Sequence, residues 1–138
     1  MATVFEKLNL KDRREILVLN APESFEPELA RLPGVSIERK LDNSAEIEFL
    51  LAFVSRQSEV DALALHVAAR AQGDAIVWFA YPKGTSKRYT CDFNRDTGWD
   101  SLKTEGFDTV RAVAIDADWT ALRFRRVDFI KAYTRARD

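Results

Sequence analysis

Short, nearly unbroken aliphatic runs alternate along this chain with longer stretches whose apolar residues recur at helical spacing. Val4, Phe5 and Leu8 predict a short amphipathic helix that ends near Asn9, before the charged turn Lys11 to Arg14. Glu15-Ile16-Leu17-Val18-Leu19-Asn20 is a run of the kind a strand shows when helices cover both its faces. After Ala21-Pro22, Ser24 is placed to cap a helix with Pro27 in its first turn and Phe25, Leu29 and Leu32 on one face; Pro33-Gly34 stops it. Val35 to Arg39 alternates apolar and polar residues, which predicts a strand nearer the sheet edge, followed by a turn through Asp42 to Ala45.

Glu48 to Val54 is a second buried run. Ser55 or Ser58 is placed to cap the longest helix, with Val60, Leu63, Ala64, Val67 and Ala71 as its stripe and Gly73 as its left-handed stop. Ala75 to Tyr81 is the third buried strand, and a loop rich in Lys, Ser, Thr and Gly follows from Pro82 to about Arg95. Asp96 or Thr97 opens a helix that carries Trp99 and Leu102 and closes at Gly106. Val110 to Ile115 and Ala121 to Val127 form a hairpin through the turn Asp116-Ala117-Asp118-Trp119, and Phe129 to Tyr133 adds a last helical turn.

Buried strands separated by helices pair in parallel through right-handed crossovers. The pattern therefore predicts a single α/β domain with a Rossmann-like, three-layer, mainly parallel sheet and a C-terminal antiparallel hairpin. Parallel strands followed by an antiparallel pair are similar to the second half of the class I methyltransferase sheet.

Three stretches, Ile16 to Phe25 (ILVLNAPESF), Val77 to Ser86 (VWFAYPKGTS) and Asp118 to Arg126 (DWTALRFRR), also resemble a bacterial family of short proteins, a domain of unknown function. Its members carry a strand ending in Asn-Ala-Pro, a strand ending in Tyr or Trp-Pro-Lys, and a terminal Trp-x-x-Leu-Arg-Phe. That resemblance implies a fold and brings no activity with it. Against the wider methyltransferase pattern there is one departure. Those enzymes place a Gly-x-Gly-x-Gly turn after the first strand so that the backbone approaches the cofactor, whereas this chain has Asn20-Ala21-Pro22-Glu23-Ser24. The difference counts against S-adenosylmethionine and against a dinucleotide, and the cofactor is left open.

Composition narrows the classes further. The 138 residues carry a net charge of -1 with 31% charged side chains, so no overall field draws the chain to nucleic acid or to a membrane, and no run approaches a membrane span. One cysteine, Cys91, excludes an intramolecular disulfide; with one histidine, His66, the pair is too small for the usual zinc site. The first ten residues lack the apolar run of a secretion signal, and the chain reads as cytoplasmic.

Candidate chemistry lies just after the central strands, where open parallel sheets bind ligands. Those segments are Asn20 to Ser24, Ser55 to Ser58, and Tyr81 to Lys87. Pro82-Lys83-Gly84-Thr85-Ser86-Lys87-Arg88 has the cations, hydroxyls and flexible backbone that hold phosphate or carboxylate, without P-loop spacing. The candidate ligand residues are Asn20, Ser24, Tyr81, Lys83, Ser86 and Lys87, with Arg95 and Arg123 as further cations. Trp99 and Trp119 are candidates to wall a pocket with Tyr81. His66 reads as a boundary residue, Cys91 as an inert thiol, and Asp116 and Asp118 as turn residues without a third metal ligand. No Gly-x-Ser-x-Gly elbow accompanies His66.

The leading expectation is a non-catalytic or regulatory domain binding an anionic small molecule. Two alternatives stand beside it: a degenerate methyltransferase-like enzyme, and an interaction module that forms a homodimer through the hairpin edge and the Phe129 to Tyr133 tail. Local basic clusters, including Arg123-Arg125-Arg126, are too short a stripe for nucleic acid in a chain of pI about 5.9.

Overall fold

A computed structural model describes residues 4–11, 13–32, 34–40, 46–94 and 96–130, the side chain of Gln72 excepted. The expected turn through Asp42 to Ala45, the stop at Pro33 and the tail beyond Ile130 lie outside the described residues, as does Arg95. In chain order the elements are α1 (Val4–Lys7), β1 (Glu15–Leu19), α2 (Glu26–Ala30), β2 (Ser36–Glu38), β3 (Ile47–Phe53), α3 (Gln57–Arg70), β4 (Ala71–Pro82), α4 (Asp100–Thr104), β5 (Phe107–Ala114) and β6 (Trp119–Arg126).

The three aliphatic runs become β1, β3 and β4, and they lie side by side. The sheet order is β2-β1-β3-β4-β6-β5. β1 pairs in parallel with β2 and β3, and β3 in parallel with β4. β6 inserts antiparallel between β4 and β5. Alternation along each strand divides the core into two layers. Leu17, Leu50, Val77, Phe79 and Phe124 face α3 and α4. Ile16, Val18, Phe49, Trp78 and Ala121 face α1 and α2. The indole N–H of Trp78 donates to the Leu8 carbonyl at 2.8 Å, which ties the amino-terminal turn to the sheet across 70 positions.

Several boundaries differ from the sequence reading, each for a local reason. Ser24 is not a cap: a 3-10 turn, Glu23–Phe25, precedes α2 and neither start has a side-chain cap bond, while Pro27 sits in the first turn as expected. At α3 the N-cap position is Arg56, and neither Ser55 nor Ser58 caps it. Glu59 reaches back instead, its Oε1 accepting from the backbone N–H groups of Ser55 (2.9 Å) and Arg56 (3.1 Å).

α3 stops at Arg70 rather than Gly73. Ala71 turns extended and pairs with Ile47, and Arg126 donates to the carbonyls of Ala68 (2.8 Å) and Ala71 (2.9 Å), satisfying the helix end with a cation. Gly73, at φ +52, lies in the irregularity where Ala71 to Ile76 of β4 oppose only Ile47 to Phe49 of β3. α4 opens at Asp100. Asp96 and Thr97 belong to the turn before it, where the Asn94 side chain accepts from both their N–H groups. Trp119 is the first residue of β6, not part of the turn.

Among the described residues the helices do not cover the whole sheet. A groove of about 410 Å³ opens beside the amino ends of β1 and β3, lined by Glu15, Ser36, Glu38, Lys40, Glu46 and Glu48 among others. On the α1 face, β6 and β5 extend beyond the helices and carry arginines.

Candidate functional site

β1 sends its connection to β2 on one side, and β3 sends α3 to β4 on the other. The strand order therefore reverses between β1 and β3, and ligands of open α/β sheets bind outside the carboxyl ends at such a point. The tips that border it are Leu19-Asn20 and Phe53-Val54, with Tyr81-Pro82 one strand further on. The groove of about 410 Å³ is at the opposite, amino end of these strands, away from the switch point. We take the tips as the candidate site because the chain reversal, not the size of a hollow, is what converges loop backbone and helix starts on a ligand.

Asn20 is exposed at the tip of β1 with φ +59, a left-handed conformation that favours glycine and that asparagine tolerates. The turn after β1 thus has part of the geometry of a glycine turn without the glycine. Ala21 and Phe25 pack beneath it in the α1-side core. Ser24 is exposed on the 3-10 turn.

The loop expected to be an open basic anion site is a pinned strap. The Ser86 hydroxyl donates to Asp118 Oδ1 at 2.9 Å and accepts from the N–H groups of Arg88 (3.3 Å) and Tyr89 (3.1 Å). The Lys83 N–H donates to the Asp118 carbonyl at 2.8 Å. Further on, Asp92 accepts from the Gln57 N–H at 2.7 Å through its carboxylate, and its own N–H donates to the Ser55 carbonyl at 3.2 Å. The strap therefore leaves the tip of β4, is fastened to the β5–β6 turn, and is fastened again at the start of α3, across the end of β3.

Its aromatic residues go to both faces. Tyr89 lies on Trp119 at 4.9 Å between ring centroids, and Trp119 meets Phe53 edge-on at 5.1 Å. Arg88 sits 5.6 Å over the Tyr89 ring. On the other face Tyr81, Phe93 and Trp99 form a second cluster, with Phe93 and Trp99 at 4.9 Å and Tyr81 and Trp99 at 5.7 Å. The expected pocket wall of Tyr81, Trp99 and Trp119 does not form, because the sheet separates Trp119 from the other two.

Of the six candidate ligand residues, Tyr81 is buried in that second cluster, Ser86 is committed to Asp118, Lys83 is half-buried, and Asn20, Ser24 and Lys87 are exposed. Asn20 and Lys83 stand at the ends of strands two positions apart in the sheet, roughly 10 Å. Arg123 lies in the middle of β6, opposite Trp78, and not at the strap.

One feature of the tips escaped the sequence. The indole N–H of Trp119 is buried and has no hydrogen-bond partner among the described residues. Nothing in a hydrophobic pattern announces an unsatisfied donor; it follows from the packing of Phe53 and Tyr89 against the ring. Glu38 is the last residue of β2, 18 positions after Asn20, and is paired with Leu17 in register. An acidic residue about 20 residues beyond the first turn is where such folds meet a ribose, but Glu38 lines the amino-end groove and stands away from the tips. Arg39 beside it forms a two-pronged pair with Glu26 at 2.8 Å for both bonds.

Cys91 is half-buried in the strap, and burial first, then the Asp92 and Glu59 charges, push its thiol above the ordinary value against a backbone bond to Phe93, so the thiolate is disfavoured. His66 is exposed on α3, its ring nitrogen 3.2 Å from Arg70. Asp116 accepts from the N–H groups of Asp118 and Trp119, as turn aspartates do. Among the described residues no group of three His, Cys, Asp or Glu side chains is placed to hold a metal, and no helix is long and apolar enough to cross a membrane.

Solved structures with this arrangement of strands and helices are methyltransferases and their relatives. The N-methyltransferase NodS from Bradyrhizobium japonicum superposes with a TM-score of 0.56 at 12% identity over 89% of this chain and 92% of that one. The magnesium protoporphyrin IX methyltransferase ChlM from Synechocystis, with bound SAM, gives 0.54 at 12% identity over 89% of this chain and 74% of that one. The fold is methyltransferase-like. The fibrillarin pre-rRNA processing protein of Methanococcus jannaschii gives 0.53 at 11% identity over 85% of this chain and 68% of that one. No protein-family model and no curated protein matches the chain in sequence. At these identities the likeness is one of fold.

Proposed function

We propose that this chain is a degenerate methyltransferase-like protein whose crevice between the tips of β1 and β3 takes a small molecule carrying a nucleoside, S-adenosylmethionine being the first to test. The observation that carries the reading is the buried, unpartnered N–H of Trp119 within the aromatic stack that borders the switch point. An unmade bond to such a donor costs about 1–3 kcal/mol, which a ligand acceptor would recover. The Tyr89 ring, half-exposed, supplies a face for a flat base. Neighbours of the same fold were solved with bound SAM and with S-adenosyl-l-homocysteine, which supports the choice of probe.

The cofactor fits this site only in part. Ala21 and Pro22 replace the glycines that let backbone approach a ligand closely, so the aromatic stack and side-chain groups would have to do what the turn does elsewhere. What the group supplies when bound is an activated methyl; this chain would hold it with Asn20, Tyr89 and Trp119.

The earlier leading expectation, an anionic ligand held by Lys83, Ser86 and Lys87, is the weaker reading. Ser86 has its hydroxyl engaged, and the Asp118 carboxylate stands against the same loop.

Isothermal titration with S-adenosylmethionine and with its demethylated product tests the proposal. Binding at about 1 mM or tighter is expected, weakened at least fivefold in Tyr89→Ala and in Trp119→Phe, which keeps a ring and removes the N–H. Absence of heat with both ligands at several millimolar overturns it.

A further inference from the structure

Among the described residues the α1 face of the sheet is covered as far as β4 and over Trp119, Ala121 and Val113 of the hairpin, and is open at Arg123, Arg125 and Arg111. Leu8 and Leu10 pack on Trp78, and the turn that follows brings in Arg13, whose guanidinium donates to the Leu10 carbonyl at 3.3 Å. Beyond that turn lie β6 and β5. Along β6, Leu122 and Phe124 point into the α3-side core, so Arg123 and Arg125 alternate onto the open face. Across the ladder Arg111 is the register partner of Arg123, and Asp108 that of Arg125; an irregularity at Val110 puts both on the same face.

Arg125 is matched: its guanidinium grips Asp74 with bonds of 2.8 and 2.6 Å. Asp108 takes the N–H of Thr109. Among the described residues Arg123 and Arg111 have no such partner. Like charges directly opposite on a sheet are unfavourable, yet here they are a cross-strand pair with a third cation, Arg13, beside them. The Nε–H of Arg123 is buried and unpartnered among the described residues. Burial, then the charges of Arg125, Arg111 and Arg13, pull its pKa below the ordinary guanidinium value, and Asp74 opposes this. The four arginines exceed the two aspartates, Asp74 and Asp108, by two charges.

We propose that Arg13, Arg111 and Arg123 form a binding site for a small phosphorylated molecule. A phosphoryl group matches the fork of a guanidinium and can accept from Arg123 Nε while spanning to a second arginine. Its two negative charges equal the local excess, where a carboxylate would leave half of it. Among the described residues, no aromatic ring neighbours Arg111 and Arg123 in register, since Trp78 opposite Arg123 is buried and the half-exposed Tyr89 stands at the Trp119 end of β6, which disfavours single-stranded nucleic acid. The site is independent of the crevice: Arg123 is four residues along β6 from Trp119, about 13 Å.

Thermal unfolding of the full chain with sodium pyrophosphate, against sodium chloride at equal ionic strength, is the test. Pyrophosphate is expected to raise Tm by about 4 °C at ten times its Kd, with saturation. The shift should vanish in Arg111→Gln and in Arg123→Gln and persist in Lys87→Gln, which removes a cation from the strap instead. Without anion, Arg111→Gln should melt no lower than the parent, because it relieves the like-charge pair, so loss of the shift there is not loss of the fold. An equal shift in all variants, or an equal effect of chloride, overturns the site. Binding of a labelled single-stranded oligonucleotide through these arginines without any pyrophosphate effect also overturns it.

Discussion

Asp92 holds together two parts of the molecule that the chain leaves 35 positions apart, and Asp92→Ala measures what that is worth. Its Oδ1 accepts from the N–H of Gln57, the first residue of α3, at 2.7 Å. Arg56, at the N-cap position, has no side-chain acceptor, so the start of α3 depends on Glu59 for the N–H groups before it and on Asp92 for the N–H of Gln57. Capping bonds are worth about 0.5–2 kcal/mol, and a carboxylate at a helix start adds about 0.3–1 kcal/mol where it is exposed, as here. The same bond also fastens the strap, but the Asp92 N–H to Ser55 bond and the burial of Phe93 keep the strap in place without it. The loss expected for Asp92→Ala is therefore about 1.5 kcal/mol, or roughly 6 °C in Tm for a chain of this size. Asp92→Asn retains an acceptor oxygen and should lose only about 0.5 kcal/mol. Urea denaturation gives the free energies, and hydrogen exchange at Gln57 should speed up in the alanine variant. Asparagine as damaging as alanine, or alanine within about 0.3 kcal/mol of the parent, would refute the capping role.

Three further substitutions read other parts of the fold. Arg126→Ala removes the cation that satisfies the Ala68 and Ala71 carbonyls and lies 4.7 Å over the Phe107 ring; a loss of about 2 kcal/mol is expected in thermal unfolding, and a loss below about 0.5 kcal/mol would show that water replaces it freely. At Gly98, φ is +92 and an added Cβ would come within 2.6 Å of the Phe93 Cβ, so Gly98→Ala should cost about 3 kcal/mol and disturb the Trp99 fluorescence; an unchanged melting curve would contradict that packing. Arg39 holds the Glu26 carboxyl below its ordinary 4.5, by hydrogen bond first and charge second, burial opposing. A lowered folded-state pKa gives stability that is present above 4.5 and lost as pH falls through the folded value. The Tm gap between the parent and Arg39→Gln should therefore narrow on acidification from about pH 6 to about pH 3, and also in about 1 M salt, the pair being exposed; a gap independent of both would refute the assignment.

The parallel core was legible because it is written in a local code. Ile16 to Leu19, Phe49 to Phe53 and Ile76 to Tyr81 are apolar on both faces, which only a sheet covered on both sides demands, and helices between them leave little choice of direction. Helix ends were not legible, because their partners come from far along the chain. Gln57 is capped by Asp92 and the end of α3 by Arg126, so the nearby Ser55, Ser58 and Gly73 misled. The strand tips could be named from the aliphatic runs, whereas the partners of their side chains could not. Lys83 to Lys87 looked like a free cationic loop because Asp118 lies 32 positions from Ser86, and only the antiparallel insertion of β6 brings the two together.

Charge shows the same gap between composition and arrangement. A net of -1 implies no overall field, and summed over the chain it is correct. The fold nevertheless sorts the charges by place. At the β2 side, Glu15, Glu38, Glu46 and Glu48 line a groove with Lys40; at the β5 side, on the face covered by α1, Arg13, Arg111, Arg123 and Arg125 meet Asp74 and Asp108. Both groups stand where the sheet outruns its helices, and the reason is the same in each. A strand position left open to water is met by a polar side chain, and alternation puts Glu38 of β2, Glu48 of β3 and Arg123 and Arg125 of β6 at such positions. Polarity alone would be met by serine or threonine, as at Ser36; mostly acidic positions at one corner and mostly basic ones at the other are a further choice, which covering the sheet with water does not require. A ligand approaching this molecule therefore meets local fields of opposite sign at its two edges, and its own charge selects the edge. This is why the pyrophosphate comparison is made against the Lys87→Gln variant: a cation in the strap and a cation on the sheet contribute identically to net charge, and only position distinguishes them.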